Sequence, residues 1–203
     1  HKAERARKTL EFLEGIDYTK DADAEAISKA TVTVEGDPVD FIEECRSKLT
    51  ALHTALANAE KQFKARLPWG ESDKAAIDRL GELGYAVHYY SVDTKRFDEA
   101  WGTLYPLQVV ENDGKKVWFV TVVPKDEAYS FPVQETAAPG GTSAESKAEI
   151  ERIKAAIIDC KAGLLNAKDY IPAIRESYNS DLVQLDLYLA DSVAEGAAED
   201  HIT

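Results

Sequence analysis

The sequence predicts a mainly α-helical fold, an elongated antiparallel three-helix bundle with a small β-hairpin and loop head. Three observations predict it. Long stretches space their apolar residues alternately three and four apart, the mark of a heptad-packed seam. A short Pro/Gly turn separates the first two stretches, so those helices must run antiparallel. Ahead of the third stretch, strand chemistry flanks a good hairpin turn. The chain of 203 residues reads as one domain, long enough to bury a core.

The first 37 residues carry an N-terminal helix and a short strand. Ala3, Ala6, Leu10 and Leu13 share one helical face over residues 1–14, and Gly15 is a fair stop. This helix is available as a fourth packing element. Residues 17–37 are polar and mixed, with a short strand expected at 31–34 and closed by Gly36-Asp37-Pro38.

The first long helix is expected over 38–67. Asp37 caps it and Pro38 takes its first position. Its seam is Ile42, Cys45, Leu49, Leu52, Leu56, Ala59 and Phe63, and Pro68 and Gly70 end it. The second is expected over 71–105, opening near Ser72 or Asp73. Its seam is Ala76, Leu80, Leu83, Val87, Tyr90, Thr94, Phe97, Trp101 and Leu104, with Pro106 as the stop. Each would be about 45 Å long at 1.5 Å per residue.

Residues 106–142 form the expected head. Strands at 107–111 and 116–123 flank Asn112-Asp113-Gly114. Trp118, Val120 and Val122 face one way, and Val117, Phe119 and Val123 the other. A hairpin apolar on both faces needs cover on both. The bundle supplies one cover; residues 31–34, the loop through Tyr129 and Phe131, or a partner supplies the other. Residues 124–142, with their prolines and paired glycines, read as an irregular loop.

The third long helix is expected over 143–196. Thr142-Ser143-Ala144-Glu145 is a capping box. The seam runs Ile150, Ile153, Ile157, Cys160, Leu164, Ala167, Ile171, Ile174, Tyr178, Leu182, Leu185, Leu189 and Val193 to Gly196. Pro172 is expected to kink it without necessarily ending it.

Cys45 and Cys160 lie on seams of helices expected to run parallel, offset by roughly 9 Å at 1.5 Å per residue, which a loop can absorb. The expected pairing is one disulfide, which would imply an oxidising compartment. The alternative is two buried free thiols. Nothing else in the sequence completes a Cys/His metal set.

Asp and Glu number 37 against 24 Lys and Arg, a net charge of −13. That field repels phosphate backbones and anionic lipid, so no nucleic-acid partner is expected. No apolar run approaches bilayer length, and no signal peptide is expected within these residues. With no Met anywhere, the chain reads as a piece trimmed from a longer precursor.

The chemistry of enzymes is sparse, and no catalytic residue, cofactor or metal is expected. Pro139-Gly140-Gly141-Thr142-Ser143 precedes a helix but lacks the phosphate-loop lysine, and it reads as a linker. Asp21-Ala22-Asp23-Ala24-Glu25 starts like a calcium loop, but Ala26 and Val32 stand where glycine and a bidentate acid are needed. His53 and His88 sit beside seams and belong to no metal set. Acidic pairs such as Glu43-Glu44 are helix neighbours that do not face each other. The aromatics are the one feature singled out for recognition; the alternative is that the stripe of Tyr85 and Tyr89 packs on another helix. Tyr85, Tyr89, Trp118, Phe119, Tyr129 and Phe131 form the expected binding surface, near the head.

The Ala/Glu-rich heptads at 51–60 (Ala-Leu-His-Thr-Ala-Leu-Ala-Asn-Ala-Glu) and 144–153 (Ala-Glu-Ser-Lys-Ala-Glu-Ile-Glu-Arg-Ile) support a likeness. With the head insertion and few cysteines, residues 38–196 resemble African trypanosome surface coat glycoproteins of the glutamic acid/alanine-rich protein type. Those are related in architecture to variant and invariant surface glycoproteins. The resemblance implies a cell-surface rod held by a GPI anchor whose signal lies outside this fragment. Its implied partners are neighbouring coat molecules or a host or vector protein. No Asn-x-Ser/Thr sequon is present, so no Asn-linked glycan is expected. Three functions compete: a non-enzymatic coat protein, a receptor binding through the hairpin head, and an intracellular acidic helical partner.

Overall fold

The computed structural model describes residues 1–71 and 74–202. It is mainly helical, with a small three-stranded antiparallel sheet. The sequence reads as one domain, but the chain divides into two compact units. One comprises His1–Leu56 with Arg152–Thr203, the other Ala57–Glu151.

The first unit is helical. Helix α1 (Lys2–Gly15) buries Ala3, Ala6, Thr9, Leu10 and Leu13, the predicted face plus a threonine. A short α2 (Ala24–Lys29) buries Ile27. Helix α3 (Pro38–Arg66) opens on its expected cap: the Val39 N–H donates to Asp37 Oδ1 at 3.2 Å. Of its seam, Ile42 is fully buried and Cys45, Leu49, Leu52 and Leu56 are half-buried. The core joins Leu10, Leu13, Ile42, Leu164, Ala167 and Ile174. Residues 31–34 are not a strand; the Val32 carbonyl accepts a hydrogen bond from the Asn166 side chain at 2.8 Å, and Val34 packs on the core.

Gly163 marks a close approach. A Cβ there would lie 3.2 Å from the Phe41 ring and 3.3 Å from Val32 Cγ1, so glycine makes room for both. After α6 (Ser143–Asn166), a 3-10 turn at Ala167–Tyr170 leads into α7 (Ile171–Ile202). Pro172 stands in the first turn of α7, where its missing N–H leaves no helical bond unmade. A 3-10 step, ahead of Pro172, interrupts the helix where the sequence predicts a kink.

Cys45 and Cys160 are free thiols, not at bonding distance, so the expected disulfide is not formed. The sequence register sets them nearly level only through a full-length second helix, which the chain lacks. Burial pushes both thiols above their ordinary value of 9.0, keeping them protonated and poorly reactive. Compartment therefore gains no support from cysteine chemistry.

The second unit holds the largest correction. The expected long helix over 71–105 is a short α4 (Lys74–Glu82), a strand β1 (Tyr85–Asp93), a 3-10 turn (Thr94–Arg96) and one helical turn α5 (Trp101–Leu104). Its expected opening at Ser72 or Asp73 lies outside the described residues. Gly84, at φ +89°, stops the helix in a conformation that β-carbon-bearing residues resist. Tyr85 to Val92 then supplies aromatic and β-branched side chains that suit a pleated sheet better than a helix.

Strands β2 (Leu107–Asn112) and β3 (Lys116–Pro124) form the predicted hairpin. The Asp113 carboxylate accepts the N–H groups of Lys115 and Lys116 at 2.8 and 2.7 Å, and Gly114 takes φ +87°. Strand order is β1-β3-β2, all antiparallel. Opposite β3, Val109 pairs with Phe119 and Glu111 with Trp118, leaving Val110 as a bulge. The outer edge of β1 is partly occupied, since the Thr136 N–H donates to the Tyr89 carbonyl at 2.8 Å. Helix α6 begins here on its capping box, with the Glu145 N–H donating to Thr142 Oγ1 at 3.1 Å.

Candidate binding cleft on the outer sheet face

The period of two along β3 divides the expected aromatic surface. Val117, Phe119, Thr121 and Val123 are buried, while Trp118, Val120 and Val122 are half-buried on the opposite face. Antiparallel pairing adds Tyr90 and Val92 to the first face and Tyr89 and Ser91 to the second.

The inner face is sealed by aromatic side chains. Phe119 is 0% exposed and contacts Tyr90, Phe97, Trp101 and Phe131, with ring centroids 5.2–5.9 Å apart. Phe131 also packs on Tyr105 at 4.8 Å. Tyr129 lies beneath them as a polar hub. Its hydroxyl meets Tyr90 Oη at 2.5 Å and Thr121 Oγ1 at 2.7 Å, and its ring stacks on His88 at 4.3 Å. His88 in turn bonds Glu135. Burial first, then the bond with Tyr129, pushes the Tyr90 hydroxyl pKa up. Of the expected binding set, Phe119 is therefore a core residue, and Tyr129 and Phe131 are partly buried against that core. The loop through 129–131 is the cover that the hairpin required.

The outer face keeps Tyr85, Tyr89 and Trp118. Tyr85 is 41% exposed at the start of β1. Tyr89 meets the edge of Trp69 at 5.4 Å, the two rings nearly perpendicular. Burial raises the Tyr89 hydroxyl pKa, and the Arg66 charge opposes that shift. Trp69 and Trp118 line a cleft of about 750 Å³ together with Lys64, Arg66, Ser91, Lys116, Thr136 and Pro139. Arg66, at 3% exposure, ends α3 and is held by the fold rather than by solvent. Among the described lining residues none is acidic, and three are cationic, in a chain whose net charge is −13. A cavity of about 510 Å³ in the first unit has Lys2 and Asp181 on its wall, which pair with each other at 3.8 Å.

Sequence reasoning missed Trp69, Arg66 and Lys116. Trp69 reads as part of a turn, yet it is the one aromatic group between Pro68 and Gly70. Pro139 and Gly140, read as linker, form part of the cleft wall. What the cleft offers is two indoles for a flat apolar body, cations for negative charge, and hydroxyls for orientation.

Among the described residues no group of His, Cys, Asp and Glu is placed to hold a metal ion, and no helix is long and apolar enough to cross a membrane. No protein-family model matches the chain, and no curated protein or solved structure matches it either.

Proposed function

We propose that this chain is a non-enzymatic recognition module that binds a flat, anionic group, such as an aromatic carboxylate, in the Trp69–Trp118 cleft. The observation that carries this reading is the placement of Lys64 and Lys116 beside two tryptophans in a strongly acidic chain. Such a wall attracts negative charge by its local field and holds a ring by stacking and edge contact.

The test is a titration with benzoate-class anions, followed by the indole N–H resonances of Trp69, Trp101 and Trp118. Trp69 and Trp118 are expected to shift and saturate, while Trp101, buried on the other face, stays still. A neutral benzyl alcohol is expected to bind about tenfold more weakly, a difference of about 1.4 kcal/mol. Uniform shifts of all three signals, or no preference for the anion, would sink the reading.

A coat protein on a cell surface is the second reading, with a lipid anchor beyond this fragment and neighbouring copies or a host or vector protein as partners. It is favoured by the lengths of α3, α6 and α7, which have 29, 24 and 32 residues. It expects labelling of the protein on intact cells by a non-permeant amine reagent. Protection until the cells are lysed would rule it out.

A further inference from the structure

Helix α7 carries a second surface that the cleft does not explain. Its first turns are tied into the unit: Ile174 is buried and Tyr178 packs against the core. Beyond Asp181 the seam continues in sequence: Leu182 and Leu185 are half-buried, and from Leu189 on it is exposed. Val183 is 59% exposed, Leu187 61%, Leu189 52% and Val193 73%. At about 100° per residue, Leu182, Leu185, Leu189 and Val193 make one stripe, and Val183, Leu187, Ala190 and Ala194 a second. Asp186 lies between the stripes. A helix apolar over this much of its circumference is made to be covered.

Charge says by what. After Arg175 the chain has no Lys or Arg, whereas Glu176, Asp181, Asp186, Asp191 and Glu195 recur along the helix. Of these, Asp181 has Lys2 nearby at 3.8 Å. A second copy of α7 would set like charges face to face, with Asp186 inside the apolar contact, which costs rather than stabilises. We infer that residues 182–194 are the docking site for a basic amphipathic helix of a partner protein. Its apolar face covers the two stripes, one Lys or Arg within that face meets Asp186 between them, and a flanking one meets Asp191.

The experiment uses the full chain and a fluorescent helical peptide with Leu at seam positions and Lys at flanking positions. The comparison is the same peptide with Glu for Lys. Anisotropy is expected to show the Lys peptide binding at least about tenfold tighter, with affinity falling as salt screens the charges. The double substitution V183S/L187S leaves net charge unchanged and replaces exposed side chains, so helicity by circular dichroism should hold. It is expected to weaken the Lys peptide about tenfold or more, as lost apolar burial requires. Asp186→Asn should flatten the salt dependence. Equal binding of both peptides would overturn the inference. So would an affinity unmoved by V183S/L187S, which would mean general attraction to an acidic chain. A dimer of the free protein by sedimentation, dissolved by V183S/L187S, would assign the surface to a second copy instead.

Discussion

The two faces of the three-stranded sheet are built from alternate residues of the same strands, yet they do different work. On the inner face Phe119, Tyr90 and Val117 are closed off by Trp101 and Phe131. On the outer face their immediate neighbours Trp118, Tyr89 and Ser91 remain half-buried, and Trp118 and Ser91 line the cleft. The difference comes from what each face finds opposite it, since both are apolar. The loop through Tyr129 and Phe131 supplies rings to one side. A turn holding Trp69 and a buried Arg66 supplies a wall to the other. Burial on one side of a strand thus gives rigidity, and partial burial on the other leaves a place for something else.

The sharpest way to break this comparison is to truncate neighbours on opposite faces. Phe119→Ala should cost about 3–5 kcal/mol of stability, the usual loss for a buried aromatic. Trp118→Ala should cost much less and abolish anion binding in the cleft. Urea unfolding beside the indole titration checks both. Equal destabilisation by the two substitutions would make the outer face core as well. Tyr129→Phe ranks next. It leaves the Tyr90 and Thr121 hydroxyls without the partner that joins them, at a cost of about 1–3 kcal/mol, while cleft affinity holds.

Alkaline pH probes the inner face more gently. The folded Tyr90 pKa is raised above its ordinary value of 10.0. The unfolded chain therefore releases this proton first, and stability falls as pH rises above that value. Tyr90→Phe should flatten this limb of the stability profile, measured by unfolding at pH 8 to 11; an unchanged slope would remove the burial account. Smallest is Tyr85→Ser on the outer face, expected to stay within about 0.5 kcal/mol, as exposed positions do.

Much of the helical unit is legible in the sequence. The Ala3–Leu13 face, the Asp37-Pro38 start and the Ile150–Ile174 seam each rest on local chemistry that the fold keeps. The stretch over 71–105 is legible only in part, because three- and four-residue spacing does not distinguish a helix from a strand with turns. Val87 and Tyr90 satisfy a helical seam yet point to opposite faces of β1. Gly84 and the aromatic run after it were the available signal. The two faces of β3 were legible, since strand alternation separates Trp118 from Phe119, but which face is closed depends on residues far along the chain. Trp69 and Arg66 had no local pattern to announce them, since their role arises where α3 ends.

The bulge at Val110 has a consequence for how the molecule lives among copies of itself. The Thr136 segment caps the β1 edge at Tyr89, while β2 presents the sheet's other margin, with Val109 and Val110 exposed. A flat strand of that kind would template a neighbour's backbone and seed fibrils. The extra residue twists the margin out of register, so an incoming strand finds no continuous ladder to join. An irregularity of one residue therefore works against strand-to-strand growth along this margin.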